Sequence, residues 1–283
     1  LIMILFPNAK INLGLYVTEK RTDGFHNLSS CFYPAPWSDI LEITPSTTFE
    51  FSTSGLEISG KLESNLCYRA HKLLEASHGI APVHIHLHKV IPMGAGLGGG
   101  SSDAAFTLIG LRDLFQLPLN NADLIPFAQQ LGSDCAFFLT NKAQIGTDKG
   151  DVLAPFDLNL RGKFLVMIYP NFGISTQEAY AKIKPKKALK NWEKRLSKPL
   201  PTWKEAISND FENSLFPSYP LLAEIKNELY TLGADYAAMS GSGSTIFGLF
   251  EKEIKLPNKE ALQKGLLNLE RHVSESVSGK KKA

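Results

Sequence analysis

Five glycines fall within seven positions in the run Pro92-Met93-Gly94-Ala95-Gly96-Leu97-Gly98-Gly99-Gly100-Ser101-Ser102-Asp103. Without a Cβ, such a backbone can curl tightly and bring its N–H groups against a ligand. Ala104, Leu108, Leu111 and Phe115 then recur at helical spacing. Upstream, Val83, Ile85 and Leu87 alternate with polar residues as a strand does. Strand, glycine turn and helix start, in that order, aim free N–H groups and a helix dipole at an anion. This predicts a phosphate cradle over residues 92–102, with ATP the simplest phosphate ligand. Lys89 ends the strand beside it and is placed to lie against ATP; Ser101 and Ser102 are placed to meet phosphate or Mg2+. Asp103, in the first turn, suits the dipole but needs Mg2+ or Lys10 to offset its charge near a triphosphate. The run has neither the Gly-Lys-Ser/Thr ending of a P-loop nor dinucleotide-fingerprint spacing.

Other candidate groups are scattered. Asp134 precedes an apolar run, where an aspartate either caps a helix or serves as a base. Lys10 lies between Ala9 and Ile11 near a strand start, a place from which lysines snorkel, and Asn12 shares its strand face. Asp23-Gly24 signals a turn before Phe25 and His26. Asn65 opens a helix, either as its N-cap or as part of an adenine site. Gly241, Ser242 and Gly243 make a second glycine turn, either against a cleft or within a hairpin. His84, His86 and His88 share one strand face, but three ligands in a row do not form a tetrahedral set, so no protein metal site is assigned.

These groups need elements to hold them. Strand patterns cover 2–6, 11–17, 40–43, 83–87, 164–169 and 245–250; helical patterns cover 65–77, 102–115, 122–130 and 219–232. The lysine-rich stretch 182–198 reads as a solvated helix or a mobile loop. Strands and helices mix without regular βαβ alternation, which predicts an α+β class divided into domains 1–155 and 156–283. With 283 residues and 43% hydrophobic content, the chain can bury a core. A net charge of only +2 argues against a dedicated nucleic-acid binder. No apolar run is long enough to span a membrane, and no signal or transit segment is recognised, so a cytoplasmic location is expected. Cys31, Cys67 and Cys135 read as reduced core residues. Met3 is a plausible start, and the 280–283 tail reads as solvated.

Three segments converge: 7–15 running on to 20–28, the glycine run, and 239–250. Together they resemble the GHMP family of small-molecule kinases. The Lys10/Asn12 segment, Asp23-Gly24-Phe25-His26, and Gly96 through Ala105 are similar to its branch acting on a methylerythritol that carries a cytidine diphosphate, in the non-mevalonate isoprenoid route. The resemblance implies a ribosomal-protein-S5-like N-terminal domain, a ferredoxin-like C-terminal domain, and ATP and substrate meeting between them. It implies Mg-ATP as donor and the 2-hydroxyl of the methylerythritol as acceptor. It makes Asp134 the group that accepts the hydroxyl proton, and Lys10 the partner that keeps this carboxylate ionised. It puts Asn12, Phe25, His26, Thr176, Tyr180, Gly241 and Ser242 against the substrate, with Phe25 and Tyr180 stacking on cytosine and His26 reading its edge. Two rivals remain: a GHMP kinase for mevalonate-type or amino-alcohol substrates, which has no need of Phe25, His26 and Tyr180, and a nucleotide- or RNA-binding module, against which the low net charge weighs.

Overall fold

A computed structural model describes residues 2–188 and 190–254; the tail at 280–283 lies outside them. Along the chain come β1 (Met3–Leu5), β2 (Asn8–Lys20), β3 (His26–Ser38), β4 (Ile40–Pro45), β5 (Glu50–Gly55), α1 (Leu66–His78) and β6 (Val83–Lys89). Next are α2 (Gly99–Leu114), α3 (Asn121–Leu131), α4 (Cys135–Thr140), β7 (Gln144–Thr147), β8 (Val152–Pro155) and β9 (Phe164–Ile168). Then follow α5 (Thr176–Ala181), α6 (Trp203–Ala206), α7 (Asp210–Leu215), α8 (Pro220–Thr231), β10 (Tyr236–Met239) and β11 (Ile246–Phe250).

The strands form three sheets, in the orders β1-β4-β6-β5, β2-β3-β7-β8 and β10-β11-β9. In the first, β5 and β6 run parallel and the other pairs antiparallel. Alternation in β6 decides its faces: Val83, Ile85 and Leu87 are buried in a core shared with Leu74 of α1 and Leu108 and Leu111 of α2. His84, His86 and His88 point the other way. There Ser52 Oγ lies 2.7 Å from His84 Nε2 and 2.8 Å from His86 Nδ1, and Ser54 Oγ lies 2.9 Å from both His86 Nε2 and His88 Nδ1. The histidines thus form a ladder of hydrogen bonds with serines.

The second sheet hangs on β2, whose pairing with β3 shifts register at Leu13/Leu15, around Gly14. β3 escapes a sequence reading because Pro34 and Pro36 interrupt its alternation. This sheet does not stand apart from the C-terminal half. Ile11 and Leu13 share a core with Trp203, Tyr236 and Phe247. Trp192 and Leu196 join that core at 2% and 1% exposure, and Trp192 Nε1 donates to Ser29 Oγ at 2.9 Å. The later part of the lysine-rich stretch is therefore an anchored 3-10 turn (Trp192–Ser197), neither a solvated helix nor a mobile loop. β9, β10 and β11 are all antiparallel in the order of three plait strands; the expected ferredoxin-like domain also takes in 255–283, which lie outside the described residues.

Candidate active site

A cleft of about 770 Å³ gathers residues from β2, the glycine run, the turn before α4, α5 and the second glycine turn. Its floor is built on the loop. Gly98 is the residue before α2 and takes a left-handed φ of 69°, so the helix begins at Gly99, earlier than its apolar period suggests. The N–H of Ser102 bonds the Gly98 carbonyl at 2.9 Å, leaving the amides of Gly99, Gly100 and Ser101 as the helix's unpaired donors. A Cβ on Gly94 would project into open space, as a cradle requires. The second glycine turn is latched to the first: Ser240 Oγ donates to the Gly96 carbonyl at 2.8 Å, and a Cβ on Gly96 would strike Ser240 O at 2.0 Å. Asn209, buried and unremarkable in the sequence, pins that turn by donating to the carbonyls of Met239 and Gly241, each at 2.8 Å.

β2 brings its side chains alongside. The Lys10 N–H donates to the Leu97 carbonyl at 2.9 Å, docking the strand on the loop. Lys10 Nζ lies 3.3 Å from Asp134 Oδ2 and donates to Asn12 Oδ1 at 2.7 Å. Asn12 in turn donates to Ser30 Oγ at 2.8 Å, so its orientation is fixed. Asp134 precedes α4 but makes no side-chain capping bond; its carboxylate, 31% exposed, faces the cleft and Lys10. The capping reading of this residue is thus not what the structure shows.

At another part of the cleft, His26 and Tyr180 stack with centroids 4.8 Å apart, and Tyr180 meets Phe211 edge-on at 4.9 Å. Phe25 is 57% exposed, with Lys149 Nζ 5.3 Å from its ring centre. The ring packed against Tyr180 is His26, while Phe25 lines the same cleft with its own ring exposed. Burial, with the Lys20 charge, pushes the His26 imidazole below its ordinary range, which keeps it neutral at pH 7. Burial, with the nearby Asp134 charge, raises the Tyr180 hydroxyl to about 12. Thr176, Gly241 and Ser242 also line this cleft, as do Lys20 and Lys149, which sequence reasoning missed. Lys149 sits in a short polar stretch, Asp148-Lys149-Gly150-Asp151, that reads as an ordinary turn.

Asn65 caps α1, its side chain accepting the Cys67 N–H at 2.8 Å, and it also lines a second cavity of about 330 Å³. Leu66, Met93 and Gly100 border both cavities, so the smaller one opens beside the loop. Three expected contacts do not reach the cleft. Leu97 turns its side chain into the core. Ser102 is fully buried, and its amide is already committed. Lys89 lies beneath the loop, its ammonium taken by Asp39 at 2.5 Å and Asp103 at 2.8 Å. The cation that offsets Asp103 is therefore Lys89, rather than Lys10 or a metal. Burial still pushes the Asp103 carboxyl up to about 7.

This fold and cleft define a class. The family models for the GHMP kinases N terminal domain and the GHMP kinases C terminal match residues 65–142 and 187–271, over half of the chain. A 4-diphosphocytidyl-2-C-methyl-D-erythritol kinase of Cytophaga hutchinsonii is 50% identical over 249 residues, covering 88% of this chain and 92% of its own. The enzyme of that name from Bacteroides fragilis is 50% identical over 258 residues, covering 90% and 94%. A crystal structure of 4-(cytidine 5'-diphospho)-2C-methyl-D-erythritol kinase superposes with a TM-score of 0.73 at 33% identity, covering 87% of this chain and 90% of its own. The chain belongs to this 4-diphosphocytidyl-2-C-methyl-D-erythritol kinase family of the GHMP kinases.

Proposed function

We propose that the chain transfers the γ-phosphoryl group of ATP to the 2-hydroxyl of 4-diphosphocytidyl-2-C-methyl-D-erythritol, a step of non-mevalonate isoprenoid precursor synthesis. The observation that carries the reading is the Lys10–Asp134 pair at 3.3 Å, in one cleft with the glycine loop and the His26–Tyr180 stack. The alcohol oxygen bonds to the γ-phosphorus as the bond to the β–γ bridging oxygen breaks. ADP leaves, and the hydroxyl proton passes to the Asp134 carboxylate. An aspartate is a weak base toward an alcohol. A loose transition state lets the proton leave late, so Asp134 aims the hydroxyl as well as taking its proton. Lys10 holds Asp134 and Asn12 in place and sets a positive charge beside the reacting oxygens.

The backbone from Pro92 to Ser101 holds the phosphates, and the cavity at Asn65 takes the adenine. Gly241, Ser242 and Thr176 face the acceptor. Phe25 and the His26–Tyr180 stack offer flat surfaces to the cytosine, and neutral His26 can meet its polar edge. We place the domain boundary at 155/156, after β8. No helix of the described residues is long and apolar enough to cross a membrane, which agrees with a small-molecule kinase working in the cytoplasm. Among the described residues no group of three or more His, Cys, Asp or Glu is placed to hold a metal. Magnesium takes oxygen ligands and binds through few carboxylates plus substrate phosphates; the Ser101 hydroxyl fits an ion that arrives on the triphosphate. Bound there, it would neutralise charge on the transferred group.

The reading is tested by changing the base. Stacking tolerates any base, and alanine at Phe25 or Tyr180 is expected to weaken the acceptor by about 1–3 kcal/mol while ATP binding holds. Cytosine and uracil differ by an exchanged donor and acceptor, so the uridine analogue is expected to react with kcat/KM lowered about 100-fold or more. Equal rates on both, in a coupled ADP assay, would remove base recognition; no turnover of either would point to another GHMP substrate. In contrast, replacing His84, His86 and His88 together with glutamine is expected to leave ATP turnover and its magnesium requirement unchanged, because that ladder faces away from the cleft. A stoichiometric zinc signal lost in the triple variant would overturn this.

A further inference from the structure

A buried carboxylate and the lysine it binds tie down the glycine loop at both ends. Asp39 lies between β3 and β4 and is fully buried. Its Oδ1 accepts the N–H groups of Val90 and Ile91, at 2.5 and 2.8 Å, the two residues that lead into Pro92. Its Oδ2 accepts from Lys89 Nζ at 2.5 Å. The same ammonium donates to Asp103 Oδ2 at 2.8 Å, early in α2, just beyond the loop. The contacts therefore bracket residues 92–100, main chain before and helix after. They also fill the space beneath: a Cβ on Gly99 would come within 2.9 Å of Lys89 Nζ.

We propose that Asp39 is a positioning residue for phosphoryl transfer, setting the shape of the phosphate loop through Val90, Ile91 and Lys89 without touching the nucleotide. This rests on reading that loop as the cradle for ATP. Three charge-assisted bonds converge on one carboxylate, and shifting it breaks all of them. Water does not reach the group, so nothing replaces a lost partner. Apolar residues of equal volume would often give similar or greater stability, which makes geometry the reason to keep three ionisable groups here. The acceptor's surfaces are held by other anchors, β2, α5 and Asn209, so the effect of Asp39 falls on ATP.

Asp39→Asn retains an oxygen for the two amides but turns an NH2 toward the Lys89 ammonium. It is expected to raise the KM for ATP roughly 10-fold or more while the acceptor KM stays within about twofold, a split that general loss of stability does not produce. Asp103→Ala cuts only the tie to α2 and is expected to raise the ATP KM several-fold, whereas Asp103→Asn, which still offers Lys89 an oxygen, restores it. If Asp39→Asn does not fold, the Asp103 pair decides. An unchanged ATP KM in the variants, or equal rises for both substrates, overturns the proposal. Calorimetry on the unaltered protein separates the two ideas. Failure of that protein to bind ATP ends the cradle reading, whereas equal ATP affinity in it and in Asp39→Asn ends only the positioning role.

Discussion

Asp134→Asn is expected to lower kcat about 100-fold or more, the usual scale for loss of a positioned base. Asparagine nearly matches the shape of aspartate but cannot accept the alcohol's proton, and its amide oxygen can still face the ammonium of Lys10, now 3.3 Å from a carboxylate oxygen. Because Asp134 makes no capping bond to α4, its replacement takes nothing from that helix. The melting temperature and the affinities for both substrates should therefore stay close to those of the unaltered protein. Steady-state rates with a calorimetric check on ATP measure each part. A kcat near normal would take Asp134 out of the chemistry, and a large drop in melting temperature would make it a structural residue instead.

Gly98→Val is expected to abolish measurable ATP binding and, with it, turnover. The residue has a φ of 69°, where a side chain costs about 1–2 kcal/mol and a β-branched one more. Its Cβ would lie 3.0 Å from Phe138 Cζ and 3.1 Å from Lys10 Cε, so the valine pushes on Lys10 as well as the loop. Loss of phosphate binding and loss of Lys10 geometry are therefore expected together. Titration calorimetry with ATP and a thermal melt separate a local from a global failure. Normal ATP affinity in this variant would move the phosphates away from the loop.

The sequence by itself determined the elements whose signals are local. The apolar alternation of Val83, Ile85 and Leu87, the glycine run and the helical period after it fall within one stretch of chain, and each follows from backbone sterics and side-chain direction. The same holds for the turn at Asp23-Gly24, and for the Lys10/Asn12 spacing that puts both side chains on one strand face. Those segments were enough to carry the family resemblance, and with it the Lys10–Asp134 partnership. Composition misled at 182–198, where many lysines hide two core anchors, Trp192 and Leu196, because an average does not report which face each residue takes. The rest was decided by the tertiary structure. Lys89 at a strand end reads the same whether it meets a phosphate or two carboxylates; only the packing of Asp39 and Asp103 against it chose the second. The same is true of His26, which stacks on Tyr180, and of Asn209, which pins a turn far along the chain. Pairings of this kind depend on sheet register and on which helix covers which face, and these are set by burial over the whole molecule rather than by any short run of residues.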